Sequence, residues 1–278
     1  MNKFLAAAVQ MNTGNDLDSN LDKAEQFVKE ASSRNVMFIS FPELMNCFED
    51  TEVMKYKESI LGPTVQRFQK VAKENNIWIH CGSIHEEIPE SKKYYNTTVL
   101  IGSTGEIVTT YRKIHLFDVT LPNGDVICES DSVVPGSQIV VASTQFAKLG
   151  LSICYDLRFP ELYRLMALMG AEVLMVPAAF MLSTGKDHWE PLLRTRAIEN
   201  GCYVIAPAQI GKKSDKLTTY GKSMIIDPWG DVIARSSDKE SVIIAEIDLE
   251  YLKRVRQNIP SLANRRPDVY QTIYEEVK

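Results

Sequence analysis

Short apolar runs rich in Val and Ile alternate with amphipathic stretches along this chain, and the alternation is written twice. In the first half the pattern predicts strands at Phe4–Met11 and Val36–Phe41, separated by a helix at Leu17–Ser33. A helix near Thr64–Asn75 follows, then strands at Ile77–Glu86, Thr97–Ile101 and Ile107–Arg112. The second half predicts strands at Ile139–Ser143, Lys148–Cys154 and Val173–Pro177, with helices at Phe159–Met169 and Trp189–Asn200. Further strands are expected at Tyr203–Gln209, Lys222–Asp227, Val232–Arg235 and Ser241–Glu246. Val36–Ser40 answers Val173–Pro177, Ile77–Ser83 answers Tyr203–Gln209, and the turn Ser103–Gly105 answers Pro228–Gly230. Near-continuous apolar strands need cover on both faces. The expected fold is therefore α/β: a duplicated αββα sandwich, two packed mixed sheets flanked by helices, in a single domain spanning residues 1–278. A simple Rossmann sheet is the runner-up, but the GxGxxG fingerprint of a dinucleotide site is absent. From about residue 249 to 278 the tail reads as a short helix, Tyr251–Gln257, and an extended arm, SLANRRPDVY, expected to dock over the body or onto a second subunit.

Composition removes several functional classes. The chain has 31 basic and 36 acidic residues, a net charge of −5, with the signs mixed and no basic block to meet nucleic acid. No apolar run is long enough to cross a bilayer, and MNKFLAAAVQMN is too brief to act as a secretory signal. Cys47, Cys81, Cys128, Cys154 and Cys202 are odd in number and free of CxxC pairs, which points to a reducing, cytoplasmic location. In that setting the glycosylation triplet Asn96-Thr97-Thr98 is accidental. His80, His85, His115 and His188 show no ligand spacing, so no metal is expected.

LGLSICYDLRFPEL is the segment that carries chemistry. Its apolar run ends on Cys154 and turns at once to Tyr155, Asp156 and Arg158 before a helix-like stretch. Strand, reactive side chain, tight turn and helix make a nucleophile elbow with cysteine in the serine's place. Two further residues complete a reaction set. Glu43 follows FISFP at the carboxyl end of a predicted strand, where open α/β layers place ligands. Lys113 follows IVTTY-Arg112, and strand alternation turns Arg112 to the other face. A thiol attacks a carbonyl or nitrile carbon, a carboxylate carries its proton to the leaving amine, and an ammonium meets the oxyanion. That ammonium should also lower the thiol pKa, and the Tyr155 backbone N–H is the natural second oxyanion donor.

FPE ending on Glu43, YRKIHLFD around Lys113 and GLSICYDLRFPEL around Cys154 resemble the Glu-Lys-Cys signatures of the nitrilase, or carbon–nitrogen hydrolase, superfamily. The likeness covers essentially the whole chain, and the motifs stand in the family's order. It implies the duplicated sandwich, hydrolysis of non-peptide C–N bonds through a cysteine thioester, and no cofactor. It also implies a second glutamate that positions the attacking groups, matched by Glu129 in ICESDSVVPG. GKDHWEPLLRTRAIENGCYVIAPAQIG, TYGKSMIIDPWGDVIA and NRRPDVY resemble the Nit subgroup, and within it the deaminated-glutathione amidase branch more than the ω-amidases. The implied substrate is a small anionic amide, and the implied assembly a homodimer or higher homo-oligomer.

An anionic keto acid calls for a cation or N–H cluster. Candidates are Arg158, Arg194 and Thr184 of the Ser183–Gly185 loop. Arg158 could equally pair with Asp156 or Glu161, and Arg194 with Glu190 or Glu199. His188 and Trp189 open the predicted helix and are candidates for the entrance, Trp189 equally for core packing. The competing readings are an ω-amidase acting on 2-oxoglutaramate, another amidase or nitrilase of the superfamily, and a non-enzymatic scaffold on the same fold.

Overall fold

In the computed structural model, which describes residues 2–48, 55–121, 124–215 and 217–270, the order of the strands carries the duplication. The first half contains β1 (Lys3–Met11), α1 (Leu17–Ser33), β2 (Phe38–Ser40), α2 (Pro63–Asn75), β3 (Trp78–His80), β4 (Ile84–Glu87), β5 (Tyr94–Ile101) and β6 (Ile107–Arg112). After a small hairpin, β7 (Asp118–Thr120) and β8 (Val126–Cys128), come β9 (Val141–Ser143), β10 (Lys148–Leu151), α3 (Pro160–Leu168), β11 (Val173–Met175) and α4 (Leu182–Asn200). The chain closes with β12 (Tyr203–Ala206), β13 (Ala208–Lys212), β14 (Thr218–Tyr220), β15 (Met224–Ile226), β16 (Val232–Arg235), β17 (Ser241–Asp248) and α5 (Leu249–Asn258).

β1, β2 and β3 run parallel, then β5 and β6 follow antiparallel. β10, β11 and β12 repeat the parallel set, and β15 and β16 the antiparallel pair. Both hairpins shift register one step before the turn, at Leu100/Ile101 and at Ile225/Ile226. Both turns end on a glycine with positive φ, Gly105 at +90° and Gly230 at +96°. An antiparallel strand flanks each half at its first strand, β17 on β1 and β9 on β10.

Alternation along β1 divides the core. Phe4, Ala6 and Ala8 pack with Phe38, Trp78 and Phe146, and beyond them with Leu149, Val173 and Tyr203 of the second sheet. Phe146 lies between the layers, 4.7 Å from the Phe4 ring and 5.3 Å from the Trp78 ring. Ala7, Val9 and Met11 face the other way, onto Leu21, Ala24 and Val28 of α1 and Val65 and Phe68 of α2. Those helices present apolar residues at three- and four-residue steps, so each covers the sheet with one stripe. The two packed mixed sheets backed by helices agree with the sandwich expected from the sequence.

The differences from the expected elements lie where the chain leaves a sheet. Ile77–Glu86 is not one strand: it breaks at Cys81–Ser83 between β3 and β4. At Gly82 φ is +51°, and a Cβ there would sit 1.9 Å from the Pro42 carbonyl oxygen. Tyr203–Gln209 breaks likewise at Pro207, after which β13 joins the first sheet beside Gln10 and Met11. α4 begins at Leu182, two turns before Trp189, because Gly185 allows the helix to lie against the Tyr220 ring. α5 also starts earlier than expected, at Leu249, where the Asp248 carboxylate accepts the N–H groups of Glu250 and Tyr251. Arg256 then ties α5 to the carbonyls of Gly201 and Ala171. The last eight residues of the expected arm, 271–278, lie outside the described residues. Among the described residues no helix is long and apolar enough to cross a membrane.

Candidate active site

β10 ends at Leu151, and the chain reaches Cys154 in a left-handed conformation, φ +50°, before a 3-10 turn at Cys154–Arg158 and helix α3. Non-glycine residues hold such a conformation only where surroundings enforce it. Here the Cys154 N–H donates to the Pro177 carbonyl at 2.9 Å, and the Asp156 carboxylate accepts the Ile153 N–H at 2.8 Å. Glu43 leaves the carboxyl end of β2 in a segment with its own left-handed residue, Leu44 at φ +53°. The Gln209 side-chain amide donates to the Glu43 carbonyl at 2.9 Å and to the Thr13 hydroxyl at 2.7 Å, which fixes that segment. Lys113 comes one residue after β6.

These three side chains meet. Lys113 Nζ lies 3.1 Å from Glu43 Oε1 and 2.9 and 2.8 Å from the two oxygens of Glu129. The Glu43 carboxylate also accepts from Asn96 Nδ2 at 2.9 Å and from the Ala179 N–H at 3.0 Å, and it hydrogen-bonds the Cys154 thiol. Glu43, Asn96, Lys113, Glu129 and Cys154 all line one cavity of about 850 Å³. Lys113 is 2% exposed and Glu43 4%. Arg112 turns away, as strand alternation expects, and forms two hydrogen bonds to Glu86 at 2.8 and 2.6 Å.

Burial by itself would push the Lys113 ammonium down, but the charges of Glu129 and Glu43 outweigh it and hold the pKa well above the ordinary lysine value. For Cys154 the balance runs against the expectation from sequence. Burial first, then the Glu43 charge and hydrogen bond, push the thiol well above its usual range, and Lys113 offsets only part of this. Burial and the Glu43 carboxylate thus favour the protonated thiol over the thiolate.

Glu129 follows β8 in a 3-10 turn, where its carboxylate takes the Phe117 N–H at 2.6 Å besides both contacts from Lys113. Tyr155 and Arg158 line the same cavity. Arg158 makes none of the pairings weighed for it: its guanidinium sits 5.3 Å over the Phe180 ring, with no carboxylate of the described residues in ion-pair range. Thr184 lines the cavity from the first turn of α4 rather than from a loop. The other three candidates fall outside the lining. Trp189 is fully buried against Phe180 and donates its indole N–H to the Lys222 carbonyl, so it packs the core instead of guarding an entrance. Arg194 is directed to the Gly230 carbonyl at 2.7 Å, and His188 is exposed on α4, 3.4 Å from Arg158.

Sequence reasoning missed Asn96, Asp156 and Gln209. Asn96, 3% exposed, bridges Glu43 and Glu129, so the glycosylation triplet is interior to the protein. Asp156 joins the elbow to the Lys113 segment by accepting the Tyr111 hydroxyl at 2.7 Å and the His115 N–H at 3.0 Å. The sequence holds a cue for Asp156, a carboxylate two residues after the cysteine of the elbow, and none for the other two.

This arrangement, a duplicated sandwich with a cysteine elbow facing an acid and an ammonium, matches the carbon–nitrogen hydrolase profile over residues 5–257, and the chain belongs to that family. Within it, the chain is 44% identical over 269 residues to a Synechocystis protein named deaminated glutathione amidase, covering 95% of this chain and 99% of the relative. It is also 39% identical over 271 residues to omega-amidase NIT2 of Xenopus tropicalis, covering 97% and 98%. The Caenorhabditis elegans NitFhit crystal structure superimposes with a TM-score of 0.91 at 36% identity, over 97% of this chain and 66% of that longer one.

Proposed function

We propose that this protein is a cysteine-dependent amidase that hydrolyses deaminated glutathione to 2-oxoglutarate and cysteinylglycine. The observation that carries the reading is the convergence of Glu43, Lys113 and Cys154 on one cavity, with Arg158 on the same lining and no carboxylate of the described residues paired with it. Glu43 takes the thiol proton as Sγ attacks the amide carbon. The oxyanion forms against the Lys113 ammonium and the Tyr155 N–H, and each such donor stabilises the transition state by about 3 kcal/mol. Glu43 returns the proton to the departing amine, which leaves a thioester. Water then adds to the thioester carbon with Glu43 as base, releasing the acid and restoring the thiol. Glu129 keeps Lys113 aimed, since it holds the ammonium by both oxygens.

Arg158 and Thr184 suit the 2-oxo carboxylate. A cavity of about 850 Å³ lies near the upper end of the usual small-ligand range of about 300–1,000 Å³ and gives room for a dipeptide leaving group. The ω-amidase reaction on 2-oxoglutaramate uses the same acyl half and is the second reading, favoured by the 39% identical relative of that name. The protein is further read as a single-domain cytoplasmic enzyme, in keeping with its five free cysteines. It is read as a homodimer or larger homo-oligomer, because Leu165, Leu168 and Met169 near the end of α3 stand 44–51% exposed. Sizing chromatography checks the assembly.

The test is release of 2-oxoglutarate from 4-oxoglutaryl-cysteinylglycine and from 2-oxoglutaramate, by the wild type and by Cys154→Ala and Glu43→Gln. The wild type should favour the first substrate, and both variants should lose turnover of each. Intact turnover in Cys154→Ala would reject the nucleophile, and preference for 2-oxoglutaramate would select the second reading.

A further inference from the structure

The cavity has a wall that the reaction described above leaves unused. β4 and β5 form a hairpin whose cross-strand partners include His85 and Asn96, and directly opposed residues share a face. Tyr94 lies two residues from Asn96, hence on that same face, and its ring meets the His85 imidazole edge-on at 4.8 Å. Lys92 follows in the hairpin turn. All four residues line the cavity, and Asn96 touches Glu43, so the track leads from the catalytic carboxylate out to an ammonium.

Two features of this wall call for a ligand. His85 is 2% exposed, yet its Nδ1 is buried with no hydrogen-bond partner among the described residues. Buried polar groups left without partners cost about 1–3 kcal/mol, so such groups are uncommon outside binding sites. His85 lines the cavity, so a molecule held there is placed to meet the imidazole. Burial drives the ring to about 4, so it is neutral and offers one donor or one acceptor. Among the cations lining the cavity, Lys113 is engaged by Glu43 and Glu129, whereas Arg158 and Lys92 have no carboxylate of the described residues within ion-pair distance. The two available cations stand on different elements, Arg158 in the elbow turn and Lys92 in the hairpin turn, with Cys154 lining the space they share.

We infer that the His85–Tyr94–Lys92 face is the leaving-group subsite, built for an amine half that carries a peptide bond and a terminal carboxylate. This rests on the proposed amidase function and extends it. Arg158 takes the carboxylate of the acyl half, and Lys92 takes the second carboxylate at the far end of the substrate. His85 meets the peptide group between the two, and the Tyr94 ring fixes the imidazole. A substrate that releases only ammonia fills the acyl half and leaves this wall unoccupied.

The experiment compares kcat and KM for 4-oxoglutaryl-cysteinylglycine, its C-terminal glycinamide and 2-oxoglutaramate in the wild type, Lys92→Ala and His85→Phe. Lys92→Ala changes an exposed side chain and will fold, while His85→Phe retains a ring against Tyr94. The preference for the dipeptide conjugate over 2-oxoglutaramate should fall about threefold in Lys92→Ala and about tenfold in His85→Phe, through KM for the conjugate. In the wild type the glycinamide should show the Lys92→Ala loss, and in Lys92→Ala it should equal the free acid. An unchanged preference in both variants, with the conjugate well turned over, would overturn the subsite alone. A wild type that releases no 2-oxoglutarate from the conjugate would overturn the proposed function and the subsite with it.

Discussion

At the scale of single residues, the state of one sulfur decides how the site works. Cys154 sits deep enough that burial and the Glu43 charge push its pKa up, with Lys113 as the opposing influence. The neighbours therefore have opposite signs. Glu43→Gln removes a charge and an acceptor that hold the thiol up, so the midpoint for Cys154 alkylation by iodoacetamide should move down in pH. Lys113→Met removes the charge that favours thiolate, so the midpoint should move up, and kcat should fall by about 10²–10³ with the oxyanion donor gone. Alkylation rates measured from pH 6 to 10 check both directions. An upward move in Glu43→Gln would mean that this carboxylate is not the thiol's partner.

At the scale of elements, the question is what keeps a lysine after β6 in register with an elbow after β10. The Asp156 carboxylate supplies the link. It is fully buried and accepts from Tyr111 of β6, from the His115 N–H and ring, and from the Ile153 N–H ahead of the nucleophile. The His115 ring in turn stacks on Phe159 at 3.6 Å, at the start of α3. Asp156→Asn keeps the shape but turns an amide NH₂ toward these donors. It should cost about 2–3 kcal/mol of stability and lower kcat more than KM, because the pieces that separate are the oxyanion donor and the nucleophile. Urea unfolding and steady-state kinetics on the same preparation measure both. A variant with lost stability and an unchanged kcat would reduce Asp156 to a structural role.

For the molecule as a whole, two neutral imidazoles buried in the first half couple the fold to pH. His80 is enclosed between the Ser40 and Thr98 hydroxyls, 2.9 Å from each, and burial lowers its pKa to about 3, as it lowers that of His85 to about 4. Both lie below the ordinary histidine value of about 6.5. The unfolded chain therefore binds more protons below that pH. The contribution of each ring is complete above about pH 6.5 and is lost as pH falls toward the folded value, at about 1.4 kcal/mol per pH unit. Unfolding free energy should drop between pH 6.5 and 5, and His85→Phe should show a shallower slope over that interval. An identical slope in the variant would mean that His85 does not titrate on unfolding.

The repeated alternation of apolar runs was enough to determine the layered α/β class and the duplication, because strand and helix periods are local properties of the chain. Glu43, Lys113 and Cys154 were legible as candidates, because each stands at the end of an apolar run and their motifs resemble the family's signatures; the tertiary structure brings them to one cavity. Tertiary structure alone decided the rest. Asn96 and Gln209 are ordinary polar residues in sequence and became parts of the site only when separate strands placed Glu43 within their reach. The two halves of Ile77–Glu86 parted because the Pro42 carbonyl leaves no room for a side chain at Gly82. Trp189 went to the core and Arg158 to the cavity by the packing of Phe180 against both, a long-range contact that no local pattern encodes. The upward push on the Cys154 thiol has the same origin, since burial depends on everything packed around it.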